Sequence, residues 1–567
     1  MTILDWSVLF VTIAFIVAYG TIKSRGTKSM EGFLKGDQNL KWWMIGISIM
    51  ATQASAVTFL STPGQAIEDG MRFLQFYIGL PIAMVIISVT IVPIYYKLKV
   101  YTAYEYLETR FDLKTRLLAA FLFLILRGLS AGITLYAPAI VLSTILDLPI
   151  FVTTLLIGLL VIIYTVSGGT KAVSITQRQQ MAVIMGGMIL AGILAYSLLP
   201  KDVSFTDTVK IAGSLGKLNL VNLEFNMSDR YNIWSGLIAG TFLFLSYFGT
   251  DQSQVARYLG GSSLTESRMG LIFNGLLKVP MQFIILFIGV LVFVFYLFNQ
   301  APVFHNEVLK ERAMQTSQRV KLQQLDVAYN QLFDEKKEAV KGIVTAIHAD
   351  DNAQMHVQAN AVKELQQKEY GLRDSVKAII ASAIPGARTQ DRDYIFLNFV
   401  LKHLPHGIIG LLLAVMFSAA MSSMASELNA LASTTTVDIY KRAILKGKES
   451  LQDLQASRYF TIMWAVLAMG FSMLATFAEN LIQFVNIIGS LFYGTILGIF
   501  LTAFYLKRVK GTAVFWSAIL AESVVLYCYK YTEIAFLLYT IIGCAIVMIV
   551  SLAAQLIIDS GKTELKS

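Results

Sequence analysis

Apolar runs long enough to cross a membrane recur from one end of the chain to the other. An α-helix needs about 20 mostly apolar residues to cross roughly 30 Å of hydrocarbon, and the 567 residues contain thirteen such runs. A soluble fold could not cover them, because 56% of the residues are apolar and only 15% are charged. The sequence therefore predicts an all-α polytopic membrane protein. The predicted spans are 5–23, 42–61, 73–96, 116–142, 149–167, 179–199, 233–255, 270–298, 406–435, 458–478, 480–506, 512–530 and 533–557.

Lysine and arginine are concentrated in the loops that follow the first, third, ninth and eleventh spans. All four loops fall on one side of the membrane, and an excess of Lys and Arg marks the cytoplasmic side. We therefore expect an N-terminus outside and a C-terminus in the cytoplasm, in a plasma membrane and specifically a bacterial inner membrane. The net charge of +9 reflects this topology rather than a nucleic-acid-binding surface.

The segment 301–392 interrupts the pattern of spans. It is rich in Gln, Lys and Glu, and its apolar residues recur at helical spacing. We interpret it as an extracytoplasmic helical insertion, which divides the chain into a first transmembrane part (1–300), the insertion (301–392) and a second transmembrane part (393–567). Docking of an extracytoplasmic partner, or a lid over the outer vestibule, is a hypothesis that rests on position alone.

The second span carries polar residues in the middle of a membrane crossing, including Thr52, Gln53, Ser55 and Thr58. Polar backbone or side chains at this depth cost free energy unless they line a cavity or an unwound helix. A discontinuous helix that binds a ligand at its break has this pattern, and so does a polar stripe packed on a neighbouring helix. Pro63-Gly64 is expected to end the run.

The ninth span places several hydroxyls within an apolar helix. Ser422 and Ser426 share one helical face, with Ser423 beside them and small alanines between. A hard cation such as sodium is bound by several oxygens, which this face and the free carbonyls of an unwound helix could supply. Ordinary contacts between closely packed membrane helices explain the same spacing.

Arg127 lies about a dozen residues into the fourth span. A central arginine is costly in a membrane and faces a cavity or a partner. Its planar fork suits a carboxylate of a bound solute. The alternative is a structural pair with a carboxylate such as Glu68 or Asp69, or with a loop carbonyl.

Several separated segments, in the right order, resemble the sodium:solute symporter family over nearly all of the chain outside 301–392. The branch they look closest to contains the iodide, monocarboxylate and multivitamin transporters. The segments begin at Ser55 (SAVTFLSTPG), Tyr101 (YTAYEYLETRF), Leu135 (LYAPAI), Tyr164 (YTVSGGTKAV), Gly249 (GTDQSQVARYL) and Phe417 (FSAAMSSMASELNALASTTTVDIYK).

The resemblance implies a LeuT-like fold, with two inverted five-helix repeats that start near 42 and 233 and additional peripheral helices. It also implies a sodium site between the second and ninth spans. The ligands carried over are the carbonyls of Ala51, Ala54 and Ala419 and the hydroxyls of Ser422 and Ser423. Gln177 stands where members with a second sodium site have an aspartate, so we expect one coupling sodium.

The family also implies a solute site. Lys278 matches a lysine of the galactose-transporting relatives, Arg127 corresponds to an arginine that sialic-acid relatives use for a carboxylate, and Tyr247-Phe248 match an aromatic pair on the cytoplasmic side of the solute. The expected solute-binding set is Gln53, Ser55, Thr58, Gln75, Tyr77, Arg127, Phe244, Tyr247, Phe248 and Lys278. Asp251 and Arg257, at the end of the seventh span, are expected to latch the inner gate through an ion pair.

The function implied is sodium-coupled symport of a small organic solute by alternating access, with no enzymatic activity. An anion such as a monocarboxylate, a vitamin or a sialic-acid-like molecule is slightly preferred, and a sugar or polyol is the alternative. A transporter-fold solute sensor is a further alternative, although no output domain follows the last span. A membrane enzyme is disfavoured, because the spans carry no metal motif, nucleophile elbow or paired catalytic carboxylates.

Overall fold

The computed structural model describes residues 1–24, 40–98, 100–226, 229, 231–445, 453–477 and 480–564. The described parts are helical almost throughout, and nine of their helices are long and apolar enough to cross a membrane. The predicted all-α polytopic architecture is confirmed. The basic residues within 25–39 and 446–452 and the tail 565–567, which carry part of the expected orientation, lie outside the described residues.

The second predicted span is two helices rather than one. After α1 (Ile3–Ser24), α2 (Trp42–Gln53) stops and α3 (Ala56–Asp69) restarts three residues later. Pro63 lies inside α3 and does not end it, contrary to expectation. Neighbouring groups in a membrane bundle compensate for the one amide that a proline lacks. The helix ends instead at Gly70, whose φ of 68° lies in the left-handed region that favours glycine.

The first half of the chain continues with a 3₁₀ segment, three membrane-embedded or interfacial helices, one very long helix and a short capped one. These are the 3₁₀ segment Gly70–Ile78, α4 (Gly79–Leu98), α5 (Glu105–Arg110), α6 (Leu113–Leu146), α7 (Ile150–Ser197) and α8 (Phe205–Ser214). Helix α7 contains both predicted spans 149–167 and 179–199, so the prediction of two separate helices there was wrong. The stretch has no proline, and a glycine costs only about 1 kcal/mol within a helix.

The seventh predicted span is also interrupted. A π-helical turn (Ser235–Ala239) leads into α9 (Gly240–Gly249). The helix is interrupted at Thr250-Asp251, and α10 (Gln252–Leu259) follows. The Asp251 side chain caps α10 by accepting a 2.8 Å hydrogen bond from the Ser253 amide. Both repeats implied by the family resemblance therefore begin with a broken helix.

Residues 301–392 form a short helix followed by a hairpin of two long helices. Helix α11 (Leu264–Phe298) is followed by α12 (Glu307–Met314), α13 (Arg319–His348) and α14 (Asn352–Ala383). Helices α13 and α14 pack along each other. A small apolar core joins the segment, formed by Val303, Phe304, Ala313, Leu322, Tyr329, Val376 and Ile380.

The chain then returns to the membrane through a helix that is buried along nearly its whole length. The remaining elements are α15 (Ile395–His403), α16 (Ile408–Thr434) with a π-helical extension (Thr435–Ile444), α17 (Asp453–Ser472), α18 (Leu481–Tyr505), α19 (Gly511–Tyr531) and α20 (Leu538–Glu564). Helix α16 packs against α2, α3, α6, α7 and α10. It is the central element around which the broken helices are arranged.

Candidate functional site

The break between α2 and α3 leaves carbonyl oxygens without their helical partners. The amide of Ser55 donates to Gln53 O rather than to Ala51 O, and that of Thr58 donates to Ser55 O rather than to Ala54 O. The carbonyls of Ala51 and Ala54 therefore lie at the broken end of α2 with their usual amide donors directed elsewhere. Backbone carbonyls freed in this way are ligands for Na⁺ in transporter folds.

Helix α16 brings hydroxyls against this break. Ser422 Oγ donates a 3.4 Å hydrogen bond to Ala51 O, which brings these two oxygens together. Ser423 is buried, and its Oγ has no hydrogen-bond partner within the described residues. Ala419, one turn earlier on α16, is fully buried. The arrangement provides oxygens of the kind that a hard cation prefers.

Gln177 satisfies the neighbouring hydroxyls. Its Oε1 accepts from Ser48 Oγ at 2.5 Å, and its Nε2 donates to Thr52 Oγ1 at 3.1 Å and to Ser426 Oγ at 3.2 Å. The amide hydrogens of Gln177 thus occupy hydroxyl oxygens that a cation would otherwise have to contact. This is a physical reason to expect one sodium rather than two.

A cavity of about 100 Å³ lies beside the break between α2 and α3. It brings together eight of the ten expected solute-binding residues: Gln53, Ser55, Thr58, Tyr77, Arg127, Phe244, Tyr247 and Lys278. The other two lie outside its lining. Gln75 bonds to Tyr231 O and the Asn222 amide, both at 2.9 Å, and so supports a loop. Phe248 packs behind Tyr247, with ring centroids 4.9 Å apart.

Arg127 is held by carboxylates of the protein itself. It forms a buried ion pair with Asp251, and its Nη1 lies 3.0 Å from Glu427 Oε1. Tyr493 accepts from Arg127 Nη2 at 2.6 Å and donates to Asp251 Oδ2 at 2.9 Å. Both terminal nitrogens of the guanidinium are therefore engaged, and only Nε has no hydrogen-bond partner among the described residues.

The partners expected for a structural Arg127 were wrong. Glu68 pairs with Arg392, and Asp69 accepts from Gln65. Both residues lie at the end of α3, whereas Arg127 faces α10 and α16. Sequence spacing shows that a buried charge needs a partner but does not show which helix faces it.

Lys278 has the opposite environment. Its side chain is buried, and it makes no ion pair or hydrogen bond with any residue that the structure describes. The centroid of the Tyr77 ring lies 6.0 Å from Nζ. Asn486 Nδ2, also in the cavity lining, has no hydrogen-bond acceptor among the described residues. Among the described residues, the cavity lining thus holds a cation without a counterion, Lys278, and an amide donor without an acceptor, Asn486.

Sequence reasoning missed Glu427, Tyr493 and Asn486. A signal existed for Glu427, because a carboxylate within an apolar span marks a functional position just as Arg127 does. Tyr493 and Asn486 carried no such signal in the sequence, since tyrosine and asparagine are common in membrane helices. Only the packing of α18 against α6 and α9 brings them to the cavity.

The two expected gate residues are not paired with each other. Asp251 bonds to Arg127, Tyr493 and Ser253, and Arg257 Nε lies 3.4 Å from Ser253 O within α10. Asp251 thus links α10, the second half of the broken helix, to α6. Its role in an inner gate stays a prediction, and so does that of Arg257.

Comparison with known proteins adds to this geometry. A family model described as "Sodium:solute symporter family" matches residues 33–347 and 371–521. A sodium/sialic acid symporter of Aliivibrio fischeri is 25% identical over 567 residues, which cover 96% of this chain and 92% of the relative. The human sodium/iodide cotransporter is 30% identical over 277 residues, 48% of this chain and 42% of the relative. The chain thus matches less than half the length of that relative.

The fold has a solved counterpart. The substrate-bound, outward-open structure of a sodium-coupled sialic acid symporter superposes with a TM-score of 0.75 at 22% identity and covers 98% of both chains. This likeness confirms the expected LeuT-like architecture. The relatives found are transporters rather than enzymes. With a family model covering most of its length, the chain belongs to the sodium:solute symporter family.

Proposed function

We propose that this chain imports a small organic anion together with one sodium ion by alternating access. The proposal includes a bacterial inner membrane, with the N-terminus outside and the C-terminus in the cytoplasm, as the basic loops favour. The insertion 301–392 then lies on the extracytoplasmic side, where an additional partner could reach it. The observation that carries the proposal is the proximity of a cavity with an unpaired cation to a broken helix with freed carbonyls.

Sodium would be held by the carbonyls of Ala51, Ala54 and Ala419 and the hydroxyls of Ser422 and Ser423. The contact of Ser422 with Ala51 O and the unpartnered hydroxyl of Ser423 support this set. Because α2 and α3 both contribute to the break, a bound cation would fix the two half-helices relative to α16. Ion binding is in this way coupled to the shape of the adjoining cavity.

Lys278 supports an anionic solute better than Arg127 does. The charges of Arg127 are balanced by Asp251 and Glu427, whereas the Lys278 ammonium has no counterion within the described part of the chain. A buried charge without a partner is costly, and a solute carboxylate would supply one. Several relatives are named for anions, including iodide, monocarboxylates and sialic acid.

A thermal-shift screen of the purified protein tests the proposal directly. Monocarboxylates, vitamins, sialic acid, iodide, hexoses and amino acids are compared in sodium and in potassium. A ligand that binds only the folded state stabilises it by about 2.7 kcal/mol at a hundred times its Kd. We expect a carboxylate to stabilise the protein in sodium and not in potassium. A sodium-independent shift, or no effect of sodium itself, would contradict the proposal.

A neutral sugar or polyol is the second candidate. It is favoured by the hydrogen-bonding side chains of Gln53, Thr58 and Asn486 in the cavity lining. Lys278 would then donate to a hydroxyl rather than neutralise a charge. A sodium-dependent shift with hexoses and none with carboxylates would establish this alternative.

A further inference from the structure

Glu427 reaches into the solute cavity with only half of its carboxylate in use. Its Oε1 accepts from Arg127 Nη1 at 3.0 Å and lies 3.4 Å from Ser130 Oγ. Its Oε2 is buried and has no hydrogen-bond partner among the residues that the structure describes. The residue is only 6% exposed, so bulk solvent does not take the place of a donor.

A buried carboxylate oxygen without a donor is unusual in a folded protein. Nearly all buried polar atoms are hydrogen-bonded, and an orphaned charged group is the most costly exception. Thr134 of the cavity wall lies close enough to interact with this carboxylate, but no hydrogen bond from a described residue reaches Oε2. The acceptor is therefore available to whatever enters the cavity.

The opposite chemistry is provided by other helices. Among the described residues, the Lys278 ammonium on α11 has no ion-pair or hydrogen-bond partner and Asn486 Nδ2 on α18 has no acceptor. These groups suit the carboxylate of a solute, whereas Oε2 of Glu427 on α16 can bind only a hydrogen-bond donor. The cavity thus carries complementary groups for two different parts of one molecule.

We propose that Glu427 is a solute-binding residue, and that the solute is a carboxylate that also carries a hydroxyl or ammonium group, which donates to Glu427 Oε2. This inference rests on the proposed function, because it assigns a second contact at the same site. It disfavours iodide and unsubstituted monocarboxylates, which would leave Oε2 desolvated and unpaired. A site built around a hydrogen bond rejects analogues that lack the matching group.

Matched pairs of solutes test the inference on the unmodified protein. Binding of L-lactate, L-alanine and propionate is measured in sodium and in potassium, since these three share a size and a carboxylate. We expect propionate to bind about 10- to 100-fold more weakly than at least one of the other two, the usual value of a hydrogen bond to a charged group. Equal affinities for all three overturn the inference. So does the result that neither lactate nor alanine binds while sodium still stabilises the protein.

The variant Glu427→Gln separates recognition from structure. Its amide oxygen can keep the bond to Arg127, while its NH₂ replaces the acceptor with a donor. We expect weaker binding of the hydroxy or amino acid, about 10- to 100-fold, and little loss for pyruvate, whose keto group accepts a hydrogen bond. An equal loss for every ligand overturns the inference and makes Glu427 a structural partner of Arg127.

Glu522→Gln is the matched control. Glu522 lies on α19 and is another largely buried carboxylate within a membrane helix, but it does not line the cavity. We expect this change to leave the ratio of lactate to propionate affinity unaltered, and a change in that ratio would count against a local role for Glu427. If the unmodified protein binds none of these solutes in a sodium-dependent way, that separate result contradicts the proposed function itself.

Discussion

The two buried cations of the cavity differ in what holds them. Arg127 contacts Asp251, Glu427 and Tyr493, so its charge is balanced within the protein. Lys278 has no such balance among the described residues. The arginine that the sequence singles out is thus paired within the protein, while the lysine is available for a ligand.

Replacing each cation separates these roles. Arg127→Ala leaves two buried carboxylates without their partner, and breaking a buried pair in this way costs about 3–5 kcal/mol. We expect a large drop in the thermal midpoint of that variant. Lys278→Met removes a charge that nothing in the described chain compensates, so its midpoint should change little while the sodium-dependent shift by a carboxylate disappears. The reverse pattern would show that Arg127 is the solute's partner.

Ser423→Ala removes one oxygen from the expected sodium site. Losing a hydrogen-bonding or ligating oxygen at a charged site costs about 1.5–3 kcal/mol, so we expect the sodium concentration for half-maximal uptake to rise about tenfold or more. Ser418→Ala is the control, because its buried hydroxyl is likewise unpartnered but lies outside the expected ligand set. Unchanged sodium activation in Ser423→Ala would count heavily against the site.

His305 makes the insertion sensitive to acid. Burial, with a smaller contribution from the Arg373 charge, lowers its pKa from 6.5 to about 3. The unfolded chain therefore takes up a proton as the pH falls below 6.5, whereas the folded chain does not, and stability is lost from there downward, by about 2 kcal/mol at pH 5.

The expected result is a lower thermal midpoint at pH 5 than at pH 7.5, with a smaller difference in His305→Gln. His356→Gln serves as the control, because His356 is exposed on α14. An identical pH dependence in the unmodified protein and in His305→Gln would show that other groups govern the acid response.

Among the elements, α3 is held near its C-terminal end from two directions. Arg392, the last residue of the insertion, pairs with the Glu68 carboxylate, and Lys217 Nζ donates to Glu68 O at 2.5 Å. Gly64 also approaches the Arg392 backbone closely, since a Cβ added there would lie 2.6 Å from the carbonyl oxygen. The insertion is thus joined to the half-helix that borders the cavity.

Gly64→Ala tests this contact. Neither backbone can yield easily, so we expect α3 and the end of the insertion to separate, at a cost of about 1–3 kcal/mol as in other overpacked sites. Gly186→Ala on α7 is the control, because a Cβ there meets no atom within 4 Å. Thermal unfolding and sodium-driven uptake are measured together. Equal stability and uptake in both variants would show that the contact is dispensable.

At the scale of the whole molecule, the charge of the solute decides how transport responds to voltage. One sodium with a monoanion moves no net charge, so only the sodium gradient drives uptake, about 1.4 kcal/mol for a tenfold gradient. A solute that is neutral overall, including an amino acid, adds about 2.3 kcal/mol per 100 mV.

Uptake into proteoliposomes with an imposed potential distinguishes these cases. For a hydroxy acid we expect no acceleration by an inside-negative potential, and for an amino acid a clear one. A voltage-driven uptake of a monoanion would require more than one sodium and would contradict the role given to Gln177. The ratio of sodium flux to solute flux, measured with labelled sodium and labelled solute, independently gives the number of sodium ions carried per solute.

The sequence by itself determined the class of this protein and most of its chemistry. Apolar runs of membrane length leave no soluble alternative, and the polar residues of the second span indicated either an interrupted helix or a polar stripe packed on a neighbouring helix. These features are local, because they depend on residues within a few turns of each other. The resemblance to sodium:solute symporters was likewise readable from separate short segments, and the family match confirms it.

Only the tertiary structure decided which charges meet. Arg127, Asp251 and Glu427 come from three helices far apart in the chain, and their pairing depends on the rotation and depth of each helix. Lys278 and Asn486 became cavity residues for the same reason. The position of the helix break at Ala54-Ser55 instead of Pro63, and the continuity of α7, were also decided by packing, since the local cost of a proline or a glycine is small against the contacts around it.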